Sequence, residues 1–234
     1  MTNLKSIDLA RKARSAPTLF NGDRMKQPEF HRRYEQHPEG AKFELIGGIV
    51  YMASPARLPH GHYHIKLGAV LSDYADETPG VQGASEATAI LGEESEPQPD
   101  LMLRITEECG GQSTMNEDEY LEGSPELIAE VAYSSRAIDL NQKRDDYHQA
   151  GVLEYIVLSI EDERVFWFHF PSGGTLGADD KGVLRSVVFP GLWIHEAALL
   201  HLNMRRVKAV LRQGLKTKGH RDFVRRLQRQ RRKS

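Results

Sequence analysis

The sequence predicts a mixed α/β domain, and three observations predict it. Short apolar runs with strand character recur, as at residues 43–46, 101–105, 126–133 and 153–159. Segments with helical periodicity stand between them, at residues 25–37, 65–74 and 139–150. The 234 residues are 39% hydrophobic and 27% charged, which suits one soluble globular domain with appendages.

Residues 1–23 are polar with no sustained apolar period and read as a poorly ordered extension, with a helical turn around residues 4–13. In 25–37, Pro28 suits an early helical position, Phe30 and Tyr34 share a side, and Pro38-Glu39-Gly40 ends the helix. Residues 42–53 place two apolar runs around Gly47-Gly48, an N-terminal β-hairpin signal closed by Ser54-Pro55. The helix at 65–74 begins near residues 60–62 and stops at Pro79-Gly80. Residues 81–91 read as one strand or two, and 106–123 as an acidic loop with no core signal. The 126–133 strand has almost no polar interruption, the pattern of a central strand.

Gly151 is placed to cap the 139–150 helix. Strands follow at 153–159 and 164–170, then a Gly- and Asp-rich turn, a last strand at 183–189 and a short helix near 197–202. The domain spans residues 24–203. Beyond Met204, Val207, Val210, Leu211 and Leu215 have the spacing of an amphipathic basic helix.

The net charge of −2 conceals an asymmetry. Residues 204–234 hold 13 Lys and Arg against one acid, Asp222, whereas residues 1–203 hold 18 bases and 32 acids. A basic tail on an acidic body predicts either salt-sensitive phosphate contact or a solvated, mobile end. Under the first, Arg205, Arg206, Lys208, Arg212, Lys216 and Lys218 are the candidate nucleic-acid-binding residues. A single cysteine, Cys109, excludes an internal disulfide framework and fits a reducing cytoplasm; in its polar loop it reads as incidental. No apolar run approaches the roughly 20 residues of a membrane span, so no membrane partner is expected.

The chemistry concentrates between Gln98-Pro99-Asp100 and Lys143. Asp100 precedes one strand and Glu130 interrupts another. Asp139, Lys143 and Tyr147, at i, i+4 and i+8, share a helix face. Phosphodiester hydrolysis uses a divalent cation held by a few carboxylate oxygens, and Asp100 and Glu130 could supply these if their strands are neighbours. Lys143 could then stabilise charge in the transition state. Each residue also has a plain reading: an Asp after Pro is a turn residue, and a Lys four after an Asp is a surface pair. Glu130 is harder to dismiss, because a buried carboxylate is costly unless paired or ligating.

These residues carry a resemblance. The landmarks are Phe43-Glu44-Leu45-Ile46-Gly47-Gly48, Ser54-Pro55 with His62 following, Gln98-Pro99-Asp100, and Pro125-Glu126-Leu127 through Glu130-Val131. Ser134-Ser135, Asp139 with Lys143 and Tyr147, Gly151-Val152 with Glu154-Tyr155, and Phe189-Pro190-Gly191-Leu192 complete them. In this order the chain resembles the PD-(D/E)XK nuclease superfamily over about residues 26–202. Within it, the chain is similar to the bacterial Uma-two family, described as putative restriction endonucleases. The resemblance implies a restriction-endonuclease-like core: a central mixed β-sheet flanked by helices. It implies Mg2+ (or Mn2+) at Asp100 and Glu130, Glu44 completing the metal site, and Gln98, Asp139, Tyr147 and His62 as accessory residues. The superfamily lysine, two residues after the Glu, is absent because Ala132 stands there; the family's lysine from the next helix matches Lys143.

The implied function is an Mg-dependent DNA endonuclease in which activated water leaves a 5′-phosphate. The alternative is a catalytically silent nucleic-acid-binding or interaction protein that keeps the fold. Superfamily members that cut both strands are often homodimers, and the strand at 165–170 could be interface or core. His60 and His64, at i and i+4, could chelate zinc, but no His-Glu-x-x-His pattern completes them, and a cap or surface role fits better. Ser134-Ser135 reads as a cap for the following helix or a phosphate contact, not a nucleophile.

Overall fold

A computed structural model describes residues 18–37 and 40–233. The helical turn expected at 4–13 and the helix stop at Pro38-Glu39 lie outside the described residues. Residues 18–23, expected in a loose extension, instead pack: Leu19 is buried beside Phe30, Phe43, Leu45 and Val50, and Gly22 N–H donates to the Val50 carbonyl.

The chain runs α1 (Gln27–Glu35), β1 (Phe43–Ile46), β2 (Ile49–Met52), α2 (Leu58–Asp76), β3 (Val81–Ser85), β4 (Ala89–Ile90), β5 (Leu101–Ile105), β6 (Thr114–Met115), β7 (Leu121–Glu122) and β8 (Leu127–Ala132). A single helical turn α3 (Arg136–Ile138), a π-helical turn (Asp139–Lys143) and α4 (Arg144–Ala150) follow. Then come β9 (Glu154–Ser159), β10 (Arg164–His169), β11 (Gly174–Thr175), β12 (Val183–Arg185), β13 (Trp193–His195), α5 (Glu196–Leu200), α6 (Met204–Leu215) and α7 (Lys218–Arg231).

The expected mixed sheet flanked by helices is what forms. One six-stranded sheet has the order β11-β10-β9-β8-β5-β3, with β8 and β9 parallel and the other pairs antiparallel. All six residues of β8 are buried, as its unbroken apolar run requires. Alternation sorts its side chains. Leu127, Ala129 and Val131 face the larger core with Leu67, Val70, Tyr74, Leu101 and Leu103. Ile128 and Ala132 face a second core with Met102, Tyr147 and Tyr155. Glu130 shares the parity of Ile128, so it points to the second side.

The hairpin β1–β2 turns through Gly47 and Gly48, both at positive φ. The 106–123 segment is no bare loop. It forms β6, β7 and a short 3-10 turn that buries Cys109; Cys109 and Leu121 find cores, while Met115 stays exposed. Val165 and Trp167 of the 165–170 strand are buried in the larger core, whereas Phe166, Phe168 and Phe170 on its other face are only partly buried against the second.

The C-terminal segment is two helices, neither a single helix nor a loose tail. Val207, Leu211, Phe223 and Leu227 belong to the larger core, with Tyr74 and Phe189. The split falls at Lys216-Thr217, where the Thr217 hydroxyl accepts from His220 N–H and caps α7. The larger core therefore continues past residue 203. No helix among the described residues is long and apolar enough to cross a membrane.

Candidate active site

The antiparallel register of β5 and β8 opposes Leu101 to Ala129 and Met102 to Ile128. One step further, Asp100 stands across from Glu130, on the same face by parity. The two brace one another. Asp100 N–H donates to Glu130 Oε2 at 3.2 Å, and Val131 N–H donates to Asp100 Oδ2 at 2.7 Å.

Lys143 arrives from the π-turn. Its Nζ donates to Glu130 Oε1 at 2.9 Å and lies 3.0 Å from Glu44 Oε2. The Lys143 and Glu130 side chains are only 9% and 5% exposed, so this is a buried ion cluster rather than a surface pair. Tyr147 O–H donates to the same Glu130 oxygen at 2.9 Å. Asp139, Lys143 and Tyr147 are all buried, as the shared-face reading expects, but across a π-turn that widens the helix between them.

Glu44 reaches the cluster from β1. Gln98 N–H donates to its Oε1 at 2.8 Å, so the backbone of Gln98 orients the carboxylate, while the Gln98 amide side chain turns to the Glu86 carbonyl. Asp146 holds the hairpin in place: its Oδ1 accepts from Gly47 N–H at 3.0 Å and its Oδ2 from the Ser95 hydroxyl.

The histidine reading needs correction. His62 is exposed and faces away from the cluster. His60 Nε2 lies 3.1 Å from Asp100 Oδ2, and His64 Nε2 donates to the Asp100 carbonyl at 2.9 Å. Positions 60 and 64 share a helix face, and position 62 lies 200° around it, so only one of these two sets can face β5. The i, i+4 spacing was the available signal, but its partner, Asp100, is distant in sequence. Of the two readings of Ser135, the helix cap does not form. Its hydroxyl makes no cap bond and donates instead to Asp139 Oδ2 at 2.6 Å.

Burial and crowding set the electrostatics. Burial pushes the Glu130 carboxyl well above its ordinary value, against the pull of the Lys143 ammonium. Burial also lifts Asp139 to about 6. For Lys143 burial works in the other direction, but Glu130, Glu44 and Asp139 outweigh it and hold the ammonium protonated. Asp100 is held below its ordinary value: burial opposes ionisation, but the His60 hydrogen bond, the Val131 N–H and Lys143 prevail. Burial and the Glu130 charge keep the Tyr147 phenol protonated, hence a donor.

Among the described residues, no group of three or more His, Cys, Asp and Glu is placed so that it could hold a metal ion. Both hydrogen bonds to the Asp100 carboxylate fall on Oδ2, and among the described residues none reaches Oδ1. Of the basic candidates, Arg205, Arg206, Arg212 and Lys216 are exposed on and just after α6. Lys208 pairs with Asp73 at 2.9 Å and Lys218 with Asp222 at 2.6 Å. None of the six makes a hydrogen bond or ion pair with the carboxylate cluster.

A mixed sheet carrying this cluster has a nuclease-like fold. The model of the family described as "Uma2: Putative restriction endonuclease" matches residues 27–203, and the chain belongs to that family. A crystal structure of a putative nuclease belonging to DUF820 from Anabaena variabilis ATCC 29413 is similar in fold. Its TM-score is 0.53 at 16% identity, over 76% of this chain and 97% of that one. No curated protein matches.

Proposed function

We propose that the chain is a metal-dependent DNA endonuclease. Asp100 and Glu130 would hold the cation, Glu44 would complete the donor set, and Lys143 would act at the scissile phosphate. One observation carries this reading: three chain segments far apart in sequence converge to bury a protonated lysine among carboxylates. Ion clusters of this kind are costly to bury and concentrate at functional sites.

The donor set fits a hard divalent cation. The candidate ligands are carboxylate oxygens, and Asp100 Oδ1 is free to bind. Magnesium takes one or two protein carboxylates and leaves its other positions to water and phosphate, so a closed cage is not required. When bound, Mg2+ or Mn2+ would neutralise phosphate charge and lower the pKa of water.

The chain's own residues do the rest. The Asp100 and Val131 amides fix both carboxylates, and Tyr147 fixes Glu130 Oε1. Lys143 offers a permanent cation against charge developing on phosphate. His60 holds Asp100 ionised.

Plasmid nicking in Mg2+ or Mn2+ tests this. Asp100→Ala, Glu130→Ala and Lys143→Ala should each lose at least about 100-fold in rate, the scale of one deleted transition-state contact. Four proteins equally inactive across metals and salts leave the silent nucleic-acid-binding alternative. Four equally active proteins refute the assigned site.

A further inference from the structure

We propose that the exposed face of α7 is a preorganised docking rail for the phosphate backbone of duplex DNA, separate from the carboxylate cluster. Residues 218–233 carry eight Lys and Arg against one acid, Asp222. Asp222 is taken by Lys218 and Arg225. Arg229, Arg232 and Lys233 have no acidic partner among the described residues. Arg225, Arg226, Arg229 and Lys233 line a shallow groove of about 310 Å³ with Asp222 and Gln230. Arg225 and Arg229 stand four residues apart on α7, about 6 Å at 1.5 Å per residue, and Lys233 joins them from the turn that follows the helix.

The opposite face of the same helix is locked down. His220, Phe223 and Leu227 are buried. His220 Nε2 is 3.0 Å from the Thr78 hydroxyl, and Phe223 packs edge-on to Phe189. The arginines are therefore presented on a fixed backbone, which lowers the ordering cost of binding compared with a loose tail.

The chemistry selects a polyanion. Residues 1–203 are strongly acidic, so attraction for nucleic acid is concentrated on the C-terminal helices. A protein partner would need an apolar centre to the interface. Among the described residues the exposed large hydrophobics are Phe20, Met52, Leu58, Ile65, Met115 and Val187, none of them on α7. A phosphate backbone needs no such centre.

The placement adds a length. α2 connects the two regions, with His60 at the carboxylate cluster and Tyr74 against His220. Those 14 residues span about 21 Å. A duplex touching both regions must therefore cover at least about 6 base pairs, at 3.4 Å per pair. The choice of DNA rests on the nuclease reading; the rail itself does not.

The test measures binding by the full chain to a 30-base-pair duplex (a length chosen to exceed that span, about 100 Å) in EDTA, between 50 and 200 mM salt, so that cleavage plays no part. Arg225→Gln/Arg229→Gln/Lys233→Gln should make the slope of log K against log salt shallower by about 2.7, or 0.9 per lost phosphate contact. Affinity at 50 mM salt should fall at least about tenfold, with the melting temperature unchanged. The control removes three ion-paired charges elsewhere, Lys26→Gln/Arg136→Gln/Arg185→Gln, and should leave the slope intact. An equal loss in the control, or no loss in the α7 variant, overturns the proposal. So does salt-sensitive self-association through α7 without DNA binding, which would make a second copy the partner. Tighter binding of an RNA duplex of the same sequence overturns the choice of DNA. An inactive carboxylate site leaves every one of these readouts in place.

Discussion

Lys143 is the residue whose removal should say most. Lys143→Met leaves Glu130 buried without its countercharge, a change that typically costs about 3–5 kcal/mol. Urea denaturation at pH 7.5 should show a loss of that order, and Glu130→Gln/Lys143→Met should recover most of it. The single variant should also regain stability as pH falls. Its Glu130 pKa stays high in the folded state, so the folded protein takes up the proton first and folding gains on acidification. Tyr147→Phe removes one donor to Glu130 and should cost about 1 kcal/mol, with a smaller rate loss than Lys143→Ala. At this scale the sequence was partly legible. Glu130 stood out because an acid inside an apolar strand demands a reason. His60 did not, because a histidine at a helix start has several ordinary explanations and its partner is 40 residues away.

Among the elements, the contact between hairpin and α4 is the most sensitive. Burial lifts Asp146 to about 6, against its hydrogen bonds from Ser95 and Gly47. A carboxyl raised in the folded state contributes stability that is present below its unfolded pKa of 3.8 and lost as pH rises through about 6. Over pH 4.5 to 7.5 that loss integrates to about 2 kcal/mol. Asp146→Asn should remove it, seen as a flatter stability profile in chemical denaturation. Gly214 gives a second element-scale prediction. Alanine ordinarily stabilises a helix interior by about 1 kcal/mol relative to glycine. A Cβ at 214 would stand 2.2 Å from the Gly191 carbonyl oxygen and 2.8 Å from Trp193, so Gly214→Ala should instead destabilise by about 1–3 kcal/mol. The longer strands, the hairpin and most helices were readable because each carries its own period, whereas β6, β7, β11 and β13, two or three residues each, are too short to carry one. The π-turn was not: nothing in Asp139–Lys143 marks an extra residue per turn, and only the packing around Glu130 shows it.

For the whole molecule, the consequential difference lies after residue 203. Amphipathic spacing announced a helix there but could not say what its apolar face would meet. The answer is the far end of α2, Gly80 and Cys109, all distant in sequence. Deleting residues 218–234 should therefore unfold or sharply destabilise the domain, read as a large fall in melting temperature, because it uncovers Phe189, Tyr74 and Cys109. The acidic body and basic end were plain from charge alone; that the basic end is part of the core was not.

That packing also imposes an order on synthesis. Leu227 closes over Gly80 and Cys109, residues made more than a hundred positions earlier. While the ribosome works through the intervening stretch, the nascent chain must keep that surface uncovered, a state prone to aggregate. A ribosome stalled or terminated near residue 215 would leave the carboxylate-bearing strands fully translated yet without the cover that α7 supplies. Helices α6 and α7 would thus govern the yield of soluble protein.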